Sequence, residues 1–125
     1  FVIPWGPYLD MDKARCCVSS WHRPQDNVIP PQVKATGIYI NNALAKTEAI
    51  SNGYDEAIML APDGHVSEGS GENIFVIYDG RIYTTPLSAS ILAGITRRYA
   101  MTLLDELGDD VQEQDIPREL LYAAD

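Results

Sequence analysis

The segment Asn73-Ile74-Phe75-Val76-Ile77-Tyr78-Asp79-Gly80-Arg81-Ile82-Tyr83-Thr84 decides the fold class. Two runs rich in β-branched and aromatic residues flank Asp79-Gly80, a pair suited to the type I′ turn, in which both central residues need positive φ. The expectation is a hairpin with strands over 73–78 and 81–84. Upstream, residues 56–61 form another β-run, closed by the turn residues Pro62-Asp63-Gly64. The stretch Ala14-Arg15-Cys16-Cys17-Val18-Ser19-Ser20-Trp21 also reads as a strand, and residues 111–114 are a further candidate. Helices lie between these runs. From Tyr39 to Asn52, apolar residues at Ile40, Ala43, Leu44 and Ile50 approximate one helical face, and Gly53 supplies a left-handed stop. Over residues 95–107, Ala100, Leu103, Leu104 and Leu107 fall at i, i+3, i+4, i+7 before Gly108, while Pro117 suits the first turn of a last helix. The predicted class is α/β, a mixed α+β chain with a substantial antiparallel component.

The chain has 125 residues, 46% of them hydrophobic, with 9 basic and 18 acidic side chains and a formal charge of -9. That profile points to one soluble globular domain rather than two. No apolar run approaches the roughly 20 residues of a membrane helix, and Phe1-Val2-Ile3 lacks the order of a signal peptide. The acidic balance argues against nucleic acid as a partner, because a phosphate backbone calls for clustered Lys and Arg; Arg97-Arg98 is the one adjacent basic pair. Cys16 and Cys17 are neighbours in a strand, so their side chains point to opposite faces and do not bridge. Without CxxC or cysteine–histidine spacing, no metal site is expected, and a reducing cytoplasmic setting fits. The chain opens without methionine on the apolar Phe1-Val2-Ile3-Pro4-Trp5 and stops at Asp125 just after a helix-like run, which suggests a piece of a longer protein.

Three features carry chemistry. Of the three lysines, Lys13 and Lys46 read as solvated, whereas Lys34 lies among apolar and small neighbours in Pro30-Pro31-Gln32-Val33-Lys34-Ala35-Thr36-Gly37. An amine in a less polar setting is available as nucleophile or base; a loop lysine reaching water is the plainer alternative. The glycine-rich Ser67-Glu68-Gly69-Ser70-Gly71-Glu72-Asn73 leads into a strand rather than a helix, which removes a dinucleotide-binding reading and leaves a tight β-connection with Glu68 and Glu72 solvated. Gly94-Ile95-Thr96 opens the second helix, where free amides and the Thr96 hydroxyl suit a phosphate, or where Thr96 simply caps. His22 and His65 share no metal spacing and read as surface residues.

Taken together, these motifs resemble the class IV aminotransferases, the fold-type IV pyridoxal-phosphate enzymes, and among them the branched-chain amino-acid aminotransferases. The resemblance runs along the chain through Trp5-Gly6-Pro7-Tyr8, Ser19-Ser20-Trp21, Lys34-Ala35-Thr36-Gly37-Ile38-Tyr39, Asn42-Ala43-Leu44, Gly53-Tyr54-Asp55-Glu56-Ala57, Ser67-Glu68-Gly69-Ser70-Gly71-Glu72-Asn73-Ile74-Phe75 and Leu92-Ala93-Gly94-Ile95-Thr96-Arg97. It implies pyridoxal 5′-phosphate as cofactor and a small amino acid and 2-oxo acid as substrates, with amino transfer between a branched-chain L-amino acid and 2-oxoglutarate. Lys34 would join the cofactor aldehyde through its amine and move the substrate α-proton. Glu68 would face the pyridine nitrogen, Tyr39 the phenolate oxygen, Ile95 and Thr96 the phosphate, and Leu92 the ring. Trp21 and Tyr39 would border the substrate.

Family members are more than twice this long and form homodimers or higher assemblies. The resemblance therefore implies the last strands of a small N-terminal domain over residues 1–23, a linker over 24–31, and an incomplete large cofactor-binding domain over 32–125. Other members, such as D-amino-acid and amine transaminases and aminodeoxychorismate lyases, share Lys34, Glu68 and the Gly94-Ile95-Thr96 turn. A non-catalytic folded fragment is the alternative from another class.

Overall fold

Asp79 and Gly80 both take positive φ, 50° and 70°, and they join strand β4 (Phe75–Tyr78) to β5 (Arg81–Thr84) in antiparallel register, with Tyr78 facing Arg81. The hairpin read from the sequence is present. A parallel strand, β6 (Val111–Glu113), pairs on the other side of β5 and completes one three-stranded sheet, β4-β5-β6. The computed structural model describes Gly6, Leu9 and residues 12–125. The opening run at residues 1–5 and the Trp5, Pro7 and Tyr8 positions lie outside the described residues.

A second sheet has the order β1-β2-β3, formed by β1 (Cys16–Val18), β2 (Glu56–Leu60) and β3 (Val66–Gly69). Strand β1 runs parallel to β2, and β3 runs antiparallel to β2. The strand expected within residues 14–21 is thus hydrogen-bonded into one sheet with elements from beyond residue 32. Cys16 is exposed and Cys17 half-buried, both as free thiols. Strand β3 corrects the sequence reading. Ser67, Glu68 and Gly69 are strand residues, all buried, and the turn is confined to residues 70–72. Glycine content disguised this strand, since glycine and serine lower β-propensity even where neighbours bury both faces.

Helix α1 (Tyr39–Ser51) forms where the sequence places it, but with a different face inward. Asn42, Ala45 and Ala49 are its buried residues, while Ile40 is 69% exposed and Leu44 and Ile50 are exposed as well. Small residues win because α1 lies close over β2, where Ala45 and Ala49 join Ala57 and Met59 in one core cluster. A larger side chain at 45 or 49 has no room at zero exposure. The other cluster lies between the sheets and the C-terminal segment, with Leu60, Val66, Val76, Tyr83 and Ile116 buried together.

Helix α2 (Ile95–Leu107) has the expected bounds and ends at Gly108, φ 88°. Its leucine face is only partly covered by the described residues: Ala100 and Leu104 are half-buried, Leu107 is 78% exposed, and the buried member of the helix is Arg97. Arg97 donates from Nη2 to the Thr85 carbonyl at 2.9 Å and pairs with Glu113 at 2.7 Å, which fixes α2 against β6. The last helix, α3 (Leu120–Ala123), starts later than Pro117, whose carbonyl accepts from Leu120 N–H at 3.0 Å. Among the described residues no helix is long and apolar enough to cross a membrane.

Candidate active site

Glu68 projects from the end of β3, and its exposure is only 5%. Its Oε1 meets the Arg23 Nη2 at 3.0 Å, and the two side chains are 6% and 2% exposed. Its Oε2 accepts from Asn73 Nδ2 at 2.9 Å and from Leu92 N–H at 3.0 Å. Burial pushes the Glu68 carboxyl up to about 7, and the Arg23 charge and the Leu92 amide, which pull it down, do not cancel that effect. The carboxyl therefore titrates near neutrality instead of being permanently ionised. Burial also lowers the Arg23 guanidinium from its ordinary value, with Glu68 opposing the shift.

Arg23 is itself held from three sides. Its backbone N–H donates to Leu60 O at 2.8 Å, Nε donates to Ser90 O at 3.2 Å, and Nη1 donates to Asn42 Oδ1. Asn42 passes the restraint on through Nδ2, which donates to Ser70 O at 2.7 Å. The sequence reading missed both residues. Arg23 closes the segment read as the last strands of the small domain and carries no assigned role there, and Asn42 enters only within the Asn42-Ala43-Leu44 stretch of the family resemblance. The available signal was chemical: a buried carboxylate requires a cation, and Arg23 stands among Pro24, Trp21 and His22 rather than among carboxylates.

Glu68, Arg23, Lys34, Tyr39, Asn73 and Leu92 all line one cavity of about 50 Å³. Lys34, Asn73 and Leu92 also line a wider cleft of about 810 Å³, together with Gly94, Ile95 and Thr96. Lys34, Tyr39, Glu68 and Leu92 thus line the cavity, and Ile95 and Thr96 line the cleft that shares Lys34 and Leu92 with it. Trp21 is 43% exposed and lines neither cavity.

Lys34 closes the turn of Pro31–Val33 in the left-handed region, φ 49° and ψ 39°. A non-glycine residue pays strain there, so the surroundings must hold it. Gln32 does so by donating from Nε2 to Ile91 O at 3.4 Å and accepting from Ala93 N–H at 3.2 Å, which pins the turn to the segment before α2. Lys34, which lines the cavity, is solvent-exposed rather than enclosed by apolar neighbours. At α2, Gly94 is the N-cap and makes no side-chain capping bond. The alternative in which Thr96 caps the helix is not realised, so the first turn starts without a side-chain capping bond while Ile95 and Thr96 line the cleft.

Behind the loop 70–72 lies a second polar group. Glu56, 2% exposed, accepts from Lys46 Nζ at 2.6 Å, from the Ser70 hydroxyl at 2.6 Å and from Ala57 N–H at 2.7 Å. Lys46 also donates to Asp55 O at 2.8 Å, so it is a structural lysine and not the solvated one expected from the sequence. Burial and then the neighbouring Glu56 charge push the Glu72 carboxyl up to about 7. A Cβ on Gly69 would lie 2.2 Å from Glu72 Oε1, so glycine at 69 makes room for this carboxyl beneath the loop.

The family model for amino-transferase class IV matches residues 1–125. The chain belongs to the class IV aminotransferase family. It is 51% identical over 127 residues to a probable branched-chain-amino-acid aminotransferase of Aquifex aeolicus, covering 100% of this chain and 41% of that protein. A crystal structure of the branched-chain aminotransferase from Thermoproteus uzoniensis with norvaline superposes with TM-score 0.95 at 49% identity, covering 98% of this chain and 41% of that one. The branched-chain amino acid aminotransferase from Thermobaculum terrenum in its PLP form superposes with TM-score 0.89 at 39% identity, covering 92% of this chain and 38% of that one. The class IV chain therefore spans about 41% of the length of the curated relatives it matches. Its fold is that of the matching part of the fold-type IV enzymes.

Proposed function

We propose that this class IV chain carries the central part of a pyridoxal 5′-phosphate-dependent aminotransferase that exchanges the amino group between a branched-chain L-amino acid and 2-oxoglutarate. The observation that carries the reading is the shared lining: Lys34 and the buried Glu68 line one cavity, and Lys34 also lines the cleft at the uncapped start of α2. The relatives named as branched-chain aminotransferases support the substrate class.

The donor set fits the cofactor. A primary amine, a carboxyl titrating near 7, a tyrosine hydroxyl and a row of free amides answer to an aldehyde, a ring nitrogen, a phenolate oxygen and a phosphate. When bound, pyridoxal phosphate supplies the aldehyde that exchanges amines and a ring that takes up electron density from the substrate. Lys34 would hold it at the aldehyde end, and its Nζ takes the proton from the substrate α-carbon and returns it. Glu68, kept at its station by Arg23, Asn73 and Leu92, would meet the ring nitrogen and favour its protonated form. Tyr39 would hold the phenolate oxygen, and Ile95 and Thr96 would meet the phosphate with backbone amides and a hydroxyl. Leu92, which lines both spaces, would exclude water beside the ring. Trp21, outside both cavities, would border the substrate side chain.

Exposed apolar side chains on α1 and α2, among them Ile40, Ile50 and Leu107, favour an assembled enzyme, a homodimer or a higher oligomer. Two adjacent free thiols fit a reducing cytoplasmic setting.

Borohydride reduction of the protein with pyridoxal phosphate, followed by peptide mapping, tests the reading. The pyridoxyl group is expected on Lys34, lost in Lys34→Ala and retained in Lys13→Ala. A label on a different lysine overturns it.

A further inference from the structure

Building on the cofactor reading, we propose that Asn73 is a positioning residue whose carboxamide locks the Glu68 carboxylate to the segment that opens α2, setting the spacing between the ring-nitrogen and phosphate ends of the site. Asn73 follows the turn at 70–72 and sends Nδ2 in two directions: to Glu68 Oε2 at 2.9 Å and to Leu92 O at 2.9 Å. Leu92 N–H donates back to the same Oε2 at 3.0 Å. The three bonds close a ring through β3, the start of β4 and the chain before α2. A displacement of any one of these elements strains the other two.

The ring also decides which carboxylate oxygen is free. A carboxylate offers about four acceptor directions. Oε2 already has two donors and Oε1 has one, Arg23. The remaining direction belongs to Oε1, beside Arg23.

Gly94 gives the independent observation. Its φ of -64° and ψ of 139° suit any residue, so glycine is not required there for backbone freedom. Space requires it: a Cβ on Gly94 would lie 2.2 Å from Asn73 Oδ1. Asn73 cannot swing aside without surrendering both bonds from Nδ2. The N-cap glycine of α2 is thus glycine because the carboxamide stands against it. Aspartate at 73 would lack the donor and set a second charge against Oε2.

The experiment compares Asn73→Ala, Gly94→Ala and the double variant in the protein. It reads the Glu68 carboxyl titration by ¹³C NMR without cofactor, the affinities for pyridoxal phosphate and for pyridoxal, and thermal unfolding. In Asn73→Ala the Glu68 titration moves upward, because the charged form loses a donor. Pyridoxal phosphate binds on the order of tenfold more weakly, as expected for a lost hydrogen bond to a charged group. Its advantage over pyridoxal narrows, because the α2 amides no longer hold station. Gly94→Ala, which leaves Asn73 chemically intact, shifts the same readouts, and adding it to Asn73→Ala costs little more. An unchanged Glu68 titration and unchanged ligand ratio in Asn73→Ala overturn the proposal. So does a Gly94→Ala cost that is equal in both backgrounds. If Asn73→Ala does not fold, Gly94→Ala and Asn73→Asp carry the same readouts. If the wild type binds neither ligand, the cofactor reading falls, and the Glu68 titration with the non-additivity in unfolding still decides the role of Asn73.

Discussion

Replacing Arg23 by methionine keeps most of the side-chain volume and removes the charge that faces Glu68 at 3.0 Å. Stripping one partner from a buried pair costs about 3–5 kcal/mol when the other charge stays behind. Glu68 has an escape, because its carboxyl already titrates at about 7 and takes a proton instead. The loss should therefore depend on pH. At pH 5, Glu68 is protonated with or without Arg23, so the substitution removes only the bonds to Asn42 and Ser90, about 1–2 kcal/mol. Above pH 7, wild-type Glu68 ionises beside the guanidinium, while in the variant its carboxyl titrates higher still. The sign follows from linkage: over that window the folded variant holds a proton that the folded wild type has released. The difference in stability grows by about 1.4 kcal/mol per pH unit until the variant's own pKa is reached. Between pH 5 and pH 9 the destabilisation should increase by up to about 3 kcal/mol. Urea unfolding of wild type and Arg23→Met at both pH values measures it. The Glu68→Gln background, where no proton is available, should abolish the pH dependence. A destabilisation equal at pH 5 and pH 9 refutes the pairing as the reason for the Arg23 position.

Three further expectations concern other parts of the chain. Glu68→Gln should leave pyridoxal phosphate bound but slow α-proton removal by roughly 10²-fold or more, read as single-turnover amino transfer, because an amide does not hold a proton-bearing ring nitrogen as a carboxylate does. Lys46→Met should cost about 1–3 kcal/mol at pH 7, since it removes the donor at 2.6 Å from Glu56. Although burial pushes the Glu56 carboxyl up, its donors Lys46, Ser70 and Ala57 outweigh this and hold it below the ordinary value, so that cost should fade in acid as Glu56 protonates; an undiminished cost at pH 3 contradicts it. Gly80→Ala, at φ 70°, should lower stability by about 1 kcal/mol without changing ligand affinity, as measured by thermal unfolding and a binding titration.

Local chemistry made part of this protein readable from sequence alone. Asp79-Gly80 specifies its turn because only a few residue types tolerate positive φ at both positions, and β4 and β5 follow from that turn. The bounds of α2 follow from a leucine period ending at a left-handed glycine. Lys34, Glu68 and Gly94-Ile95-Thr96 stand out because an amine, a carboxyl and a helix start in that order match one family's chemistry. What faces what was decided by the tertiary structure. Helix α1 turns Asn42, Ala45 and Ala49 inward instead of Ile40 and Leu44, because the close approach of β2 admits only small side chains there. Strand β3 is a strand because β2 pairs with it, against the propensity of its own residues. Arg23 carries no local sign of a role, yet it becomes the counter-charge of Glu68, forty-five residues further along the chain, once β2 fixes its backbone at Leu60. Burial and long-range pairing are properties of the assembled chain; propensity and turn chemistry belong to its neighbouring residues, and only the second kind is written locally in the sequence.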